Sequence, residues 1–339
     1  MPMNMNIKKL FLTFAFAALA CNFPIQFALQ PESTLAPTPA FTATPAPTPA
    51  LGAQANPLIL ALAPSAQPDP DMTSAGERIA AFLESRSGYR FVVIAPSSES
   101  SLVEALRKNN AHIAILSPMA YALARQDNSV TALFASARNG KIFYAAQFIA
   151  NRDSEFQRYF DVERGENSAE AAQALSQFRD KKPCWSDALS PSGYILPLGI
   201  LKKNQINTQD GAFLQGQANV VRAVYAGNIC NFGATYVDAR ALPALEAEAP
   251  DVSERVLVVW RTPEILPYEN ISVSAALPYD MRRVIQRALI DLLLTPEGKQ
   301  DFRLVYGIDE MQVAEDSMYA EFLDYVQASG VDLNALLQK

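Results

Sequence analysis

A single histidine, His112, occurs in 339 residues, alongside only three cysteines, Cys21, Cys184 and Cys230. That scarcity excludes most metal centres, because so few soft ligands cannot fill a tetrahedral zinc site. It also excludes a Ser-His-Asp machinery. His112 lies in "HIAIL", flanked by Ile113 and Ile115, where an imidazole is structural. No catalytic residue, metal ligand or cofactor is assigned, and the chain reads as a non-enzyme. Positive charge is short as well. Twenty-eight Lys and Arg face 35 Asp and Glu, giving a net charge of −7 with no basic run, which argues against nucleic acid as a partner. Beyond the first residues no apolar stretch is long enough to span a bilayer. Yet half the chain is hydrophobic, so a substantial core can form.

The beginning of the chain carries a targeting pattern. Lys8 and Lys9 precede "LFLTFAFAALA", a run too short to cross a membrane, and then Cys21. Ala18-Leu19-Ala20-Cys21 resembles the lipobox of bacterial lipoproteins, although that family prefers Leu where Ala18 stands. The resemblance implies a signal peptide over 1–21, lipidation of Cys21 and an extracytoplasmic, lipid-anchored protein. Ordinary signal cleavage is the alternative. Residues 22–57 include "PESTLAPTPAFTATPAPTPALGAQANP", rich in Pro, Thr and Ala with no periodic apolar face. Such a segment cannot bury enough surface to fold and reads as an extended tether. Over roughly 25 residues at about 3.1 Å each it would reach on the order of 75 Å.

Setting Cys21 aside leaves Cys184 and Cys230. In an oxidising compartment an even pair points to a disulfide, with two buried free thiols as the alternative.

From Pro57 the pattern alternates. "PLILALAP", "YRFVVIAP" and "AHIAILSP" read as buried strands, separated by "SAGERIAAFLESRSG" and the capped helix "SESSLVEALRKNN". "KKPCWSD", "ICNFGATYVDAR" and "ERVLVVWRT" read as further strands among helices, and the end of the chain is mostly helical. This predicts an α/β fold with mostly parallel sheets covered on both faces. Ligands on such sheets bind beyond the carboxyl ends of the strands. The loops "APSAQP", "LSPMAY", "SDALSPSGY" and "TYVDAR" occupy that position.

"CWSDALSPSGYILPLGILKK" is the most informative of these stretches. Ser190 is placed to cap a helix and Pro191 to be its first residue. The N–H groups of Ser192, Gly193 and Tyr194 would then lack helical partners and could receive an anion. An ordinary capped helix is the competing reading. Pro197 must release one helical hydrogen bond.

In order and spacing these loops resemble the solute-binding proteins of phosphonate, phosphite and phosphate ABC importers. That family shows a Gly-Pro-Leu-Ala-Tyr loop, an Asp-Pro-x-Ser-Thr-Ser-Gly-Tyr loop, a Gly-Ser-His and an Ala-x-Tyr-x-Asp loop. It continues with an Ile-Pro-Asn-Asp segment, Pro-Glu-Gly-Lys and Tyr-Gly-Ile-Asp. Here stand "SPMAY" at 117–121, "DALSPSGY" at 187–194, "ATYVDAR" at 234–240, "VVWRTPEILPYEN" at 258–270, "TPEGK" at 295–299 and "YGID" at 306–309. The resemblance covers about residues 58 to 320. It implies a two-lobed type II periplasmic-binding fold, with 58–148 plus 258–339 as one lobe and 149–257 as the other. The hinge crossovers would lie near "IFYAAQFIAN" and "VLVVWRT". It further implies a monomer that binds a small phosphorus oxyanion and serves a membrane ABC permease.

Carried over, Ser190, Ser192, Gly193 and Tyr194 would hold phosphoryl oxygens, and Tyr121 would donate across the cleft. Tyr236 belongs to the same site. Asp238 and Glu269 match the family's carboxylates and would accept from a P–OH group or a substrate amine. The departures are Pro191 for a family Thr, Gln217 for the family His, and Glu99 near a family Tyr. They leave room for an amine-bearing or larger ligand. A sensory module for a membrane kinase and a degenerate fold kept for protein interaction are the rival functions.

Overall fold

The alternation of apolar runs is realised as two sheets joined by a narrow ribbon. The structure is a computed structural model that describes residues 49–65 and 69–338. The expected signal peptide, Cys21 and residues 22–48 of the tether lie outside the described residues; its last part, 49–57, is described, and there the Gly52 carbonyl accepts the Arg90 N–H at 2.8 Å. Eleven strands form the two main sheets: β1 Leu58–Ala61, β2 Phe91–Ile94, β3 Ile113–Leu116, β4 Val130–Ser136, β5 Ala146–Asn151, β6 Pro183–Trp185, β7 Ala212–Phe213, β8 Phe232–Tyr236, β9 Val256–Arg261, β10 Asn270–Ser274 and β11 Met311–Val313. The first sheet has the order β2-β1-β3-β10-β4-β11 and the second β7-β6-β8-β5-β9.

Each sheet is mixed, with most of its strands pointing one way and a reversed strand among them. β1 runs parallel to β2 and β3, and β6 parallel to β7 and β8. β10 and β5 instead run antiparallel to both of their neighbours. The reason is where the chain changes sheet. β4 and β9 finish at the end where the parallel strands finish, so the strand that follows enters the other sheet from that end and must run backwards. The crossovers lie beside β5 and β9, near the stretches expected to hold them. β5 and β9 belong wholly to the second sheet, and the linking segments are 137–145 and 262–269. These segments pair antiparallel, Tyr144 with Leu266 and Phe143 with Pro267.

Local chemistry starts the helices. Ser98 caps Glu99–Arg107, Ser117 caps Pro118–Arg125 and Thr295 caps Pro296–Tyr306, the last two with Pro as first residue. Gly88 ends Pro70–Ser87 at φ 75°, a conformation that costs glycine nothing. Ser190 caps as expected, but the chain makes one π turn, Pro191–Ile195, before the α-helix Leu196–Lys203. Pro197 has no N–H to offer the Gly193 carbonyl one α turn earlier. That carbonyl accepts instead from the Ser186 N–H at 3.2 Å, so the loop after β6 is tied to the helix start.

Cys184 and Cys230 form the expected disulfide, with Cα atoms 5.6 Å apart and 46 residues of separation. On the chain-entropy model a loop of that size contributes about 4 kcal/mol. The terminal segment departs from its assignment to one lobe. The helix Ala320–Ser329 packs on Leu196–Lys203, where a Cβ at Gly199 would fall 2.1 Å from the Tyr325 carbonyl oxygen. The helix Leu333–Leu337 returns to the first lobe, against Glu99–Arg107 and Pro118–Arg125. No described helix is long and apolar enough to cross a membrane.

Candidate functional site

The loops at the carboxyl ends of the parallel strands converge on a cavity of about 520 Å³ between the two sheets. From the first lobe comes Pro118, which follows β3. From the second come Ser190, Pro191 and Ser192 after β6, Gln217 at the start of the helix Gln217–Ala226, and Tyr236 and Val237 at the end of β8. The linking ribbon supplies the floor, with Arg138 and Tyr144 from one strand and Pro267, Tyr268 and Glu269 from the other.

The serine turn is held from within. Ser190 Oγ accepts the Gly193 N–H at 2.9 Å and Gln217 Nε2 at 3.1 Å. Gln217 Nε2 also donates to Ser186 Oγ at 3.2 Å, while its Oε1 accepts from the Tyr236 N–H at 3.2 Å. Gln217 thus ties the loops after β6 and β8 together. Gly193 packs closely enough that a Cβ there would sit 2.0 Å from Ser186 Oγ. Ser192 is buried at the cavity wall. Facing it, Tyr144 stacks on Tyr268 with centroids 4.9 Å apart, and Arg138 lies over Tyr268 at 4.5 Å from its centroid. Desolvation pushes the Tyr144 phenol up to about 12, against the opposing effect of Ser192. A phenol that stays protonated is a standing hydrogen-bond donor.

Charge is concentrated on the first-lobe side. Arg138 reaches Glu269 by one contact of 3.4 Å. Glu269 Oε2 is buried and makes no hydrogen bond among the described residues. Burial raises the Glu99 carboxyl above its ordinary range. A hydrogen bond with Ser117 opposes this and the charge of Glu269 adds to it. The cavity lining therefore combines neutral donors with the carboxylate of Glu269 and one guanidinium.

Several expected residues stand elsewhere. Tyr121 is fully buried and its hydroxyl donates to Asp316 Oδ1 at 2.7 Å, so it cannot donate across the cleft. Its ring packs on Tyr319 at 4.7 Å, in a core that draws the side chain inward. Tyr194 packs beside Trp185 and Phe213 and does not line the cavity. The Gly193 amide is already bonded to the cap. Asp238 is turned away as well. It accepts from Arg240 at 2.6 Å, Gln147 at 2.8 Å and Arg261 at 3.4 Å. Burial alone would raise its pKa, but the hydrogen bonds and charge of Arg240 outweigh that and lower it. Ser190, Ser192, Gln217, Tyr236 and Glu269 do line the cavity. Arg138, Tyr144 and Tyr268 were missed. The Asn139-Gly140 pair was the available signal, because it marks a tight hairpin turn beside Arg138.

A family model described as the periplasmic phosphonate substrate-binding protein of ABC transporters matches residues 60–319. No curated protein matches the chain by sequence. Among solved structures, XAC2383 from Xanthomonas citri bound to ATP is similar at 16% identity and a TM-score of 0.59, over 80% of this chain and 98% of that one. The same protein bound to chloride ion gives 17% identity and a TM-score of 0.57, with the same coverage. PhnD1 from Prochlorococcus marinus in complex with methylphosphonate gives 13% identity and a TM-score of 0.47, over 80% and 97%.

Proposed function

Because the chain belongs to the periplasmic phosphonate substrate-binding family of ABC transporters, we propose that its cleft captures a phosphoryl-bearing oxyanion and presents it to the permease. The family places the protein outside the cytoplasm as a solute receptor and not as an enzyme. The reading of the ligand is carried by Ser190, Ser192 and Gln217, which line one cavity together with Tyr144, Arg138 and Glu269 of the linking ribbon. Hydroxyl, amide and phenol donors on two lobes can surround the oxygens of one small oxyacid. Glu269 accepts a hydrogen bond from a P–OH group or an ammonium on the ligand. A fully ionised anion with nothing to donate meets like charge there, which selects against it. Closure about the segments 137–145 and 262–269 brings the two lobes together. Cys21 carries the lipid, and the Pro-rich tether keeps a monomeric receptor near its membrane partner.

Ligand binding to the native state raises its melting temperature by mass action. A thermal-shift panel of inorganic phosphate, phosphite, methylphosphonate, 2-aminoethylphosphonate and ATP identifies the class. The Ser192→Ala variant is expected to bind the preferred anion more weakly by about 1.5–3 kcal/mol, the scale of one hydrogen bond to a charged group. Wild-type affinity in that variant assigns the ligand to another place.

A further inference from the structure

An oxyanion brings negative charge into a cleft that already holds the carboxylate of Glu269, with Glu99 close by. The serines, Gln217 and the tyrosines offer only neutral donors. Among the described residues that line the cavity, Arg138 is the single cation. We infer that Arg138 is the charge partner of the bound oxyanion, released from Glu269 as the ligand arrives. This rests on the reading of the cleft as an oxyanion site, and it assigns a determinant that lies in none of the motifs carrying the family resemblance.

Three observations support the exchange. The contact between Arg138 and Glu269 is a single one of 3.4 Å, and the Arg138 side chain is 61% exposed. A long, solvated, monodentate pair contributes little and is given up readily. Next, the guanidinium is already placed within the cavity by the face of Tyr268, so little freedom is lost on ligand capture. Finally, the backbone of Arg138 is fixed. Arg138 and Lys141 exchange backbone hydrogen bonds of 2.9 and 3.1 Å around Asn139 and Gly140, at φ 53° and 74°. That is the mirror-image turn which matches the twist of a hairpin.

The partner left behind is also fixed. The Glu269 carbonyl accepts the Ser136 N–H at 2.7 Å, which pins Glu269 to the end of β4. Its carboxylate lines the cleft, with Oε2 already lacking a hydrogen bond among the described residues. The ligand's P–OH or ammonium group takes the place of the guanidinium. Anion and proton donor on one ligand thus replace the two halves of an existing ion pair.

Titration calorimetry with inorganic phosphate, methylphosphonate and 2-aminoethylphosphonate tests this on the full protein. For whichever probe the wild type binds best, Arg138→Gln is expected to weaken affinity at least tenfold and Arg138→Lys by an intermediate factor. Both variants keep the wild-type melting temperature when no probe is added. Lys141→Gln removes the same charge from the same ribbon, but Lys141 pairs with Glu264 at 2.6 Å outside the cavity lining. Its affinity is expected to stay within twofold of wild type. An Arg138→Gln variant within twofold of wild type overturns the inference and leaves the cleft reading standing. An equal loss in Lys141→Gln also overturns it, since the effect is then a general field. Undiminished binding in Ser192→Ala, or no binding of any probe by the wild type, overturns the cleft reading and this inference with it.

Discussion

Gly193 is the residue on which the serine turn at the cavity is built. Its missing side chain leaves space for Ser186 Oγ and Gln217 Nε2, which a Cβ would approach to 2.0 and 2.9 Å. Ser190 Oγ accepts from both the Gly193 amide and Gln217, so one added methyl group disturbs the cap and the loop-to-loop link together. Gly193→Ala is expected to lower stability by about 1–3 kcal/mol, the usual cost of forcing extra volume into a packed site. It should also weaken anion binding. Thermal melting and calorimetry of this variant check both effects, and an unchanged melting temperature contradicts the close packing. Asp238 shows the opposite case, a residue whose chemistry is fully committed to its neighbours. With Arg240, Gln147 and Arg261 all donating to it, its carboxylate has little capacity left for a ligand.

Between elements, the pairing of β1 with β3 depends on an imidazole. The Ile59 N–H donates to His112 Nδ1 at 2.9 Å, while the His112 N–H donates to the Ile59 carbonyl at 2.8 Å. Nδ1 can accept only when it carries no proton, and burial lowers the His112 pKa from its ordinary 6.5. A histidine with a depressed folded-state pKa contributes stability that is complete above the unfolded value. That stability is lost as pH falls from there towards the folded value. Melting temperature is therefore expected to drop as pH falls below about 6.5, and His112→Asn, which keeps an acceptor but does not titrate, should flatten this part of the profile. An identical slope in that variant assigns the acid sensitivity elsewhere. Element starts were legible where capping is local chemistry: Ser98 and Ser190-Pro191 each open a helical segment. The lining of the candidate site was legible where a residue sits at a strand end or helix start, as at Ser190, Ser192, Gln217 and Tyr236. Tyr121 was misread because its partner, Asp316, lies 195 residues further along the chain, and no local pattern reports such a contact. Arg138 and Tyr268 were missed for the same reason, since they meet only when the two crossovers pair.

At the scale of the whole molecule, the C-terminal segment makes the lobes share a core. Asp316 accepts from the Tyr121 hydroxyl and the Ala132 N–H, and Tyr319 is buried beside Tyr121 and Phe143, so this segment is rooted in the first lobe and the ribbon. The helix Ala320–Ser329 then covers Leu196–Lys203 of the second lobe. Lys202 Nζ donates to the Ser329 carbonyl at 2.6 Å, and Lys203 pairs with Asp324. Leu333 and Leu337 return to the first lobe. One continuous apolar cluster consequently runs from Leu102 and Tyr121 through Phe322 and Val326 to Leu196 and Phe148. Lobes with separate cores can unfold separately, whereas a shared core couples them. The wild type is expected to melt in one transition by scanning calorimetry, with calorimetric and van't Hoff enthalpies in agreement. Gly199→Val, which drives a side chain against the Tyr325 carbonyl, should loosen that coupling. The second lobe, which contains the Cys184–Cys230 disulfide but loses its covering helix, would then melt as a distinct earlier step. A wild-type scan that already resolves two transitions, or a Gly199→Val scan as cooperative and as high-melting as the wild type, contradicts the role given to this segment.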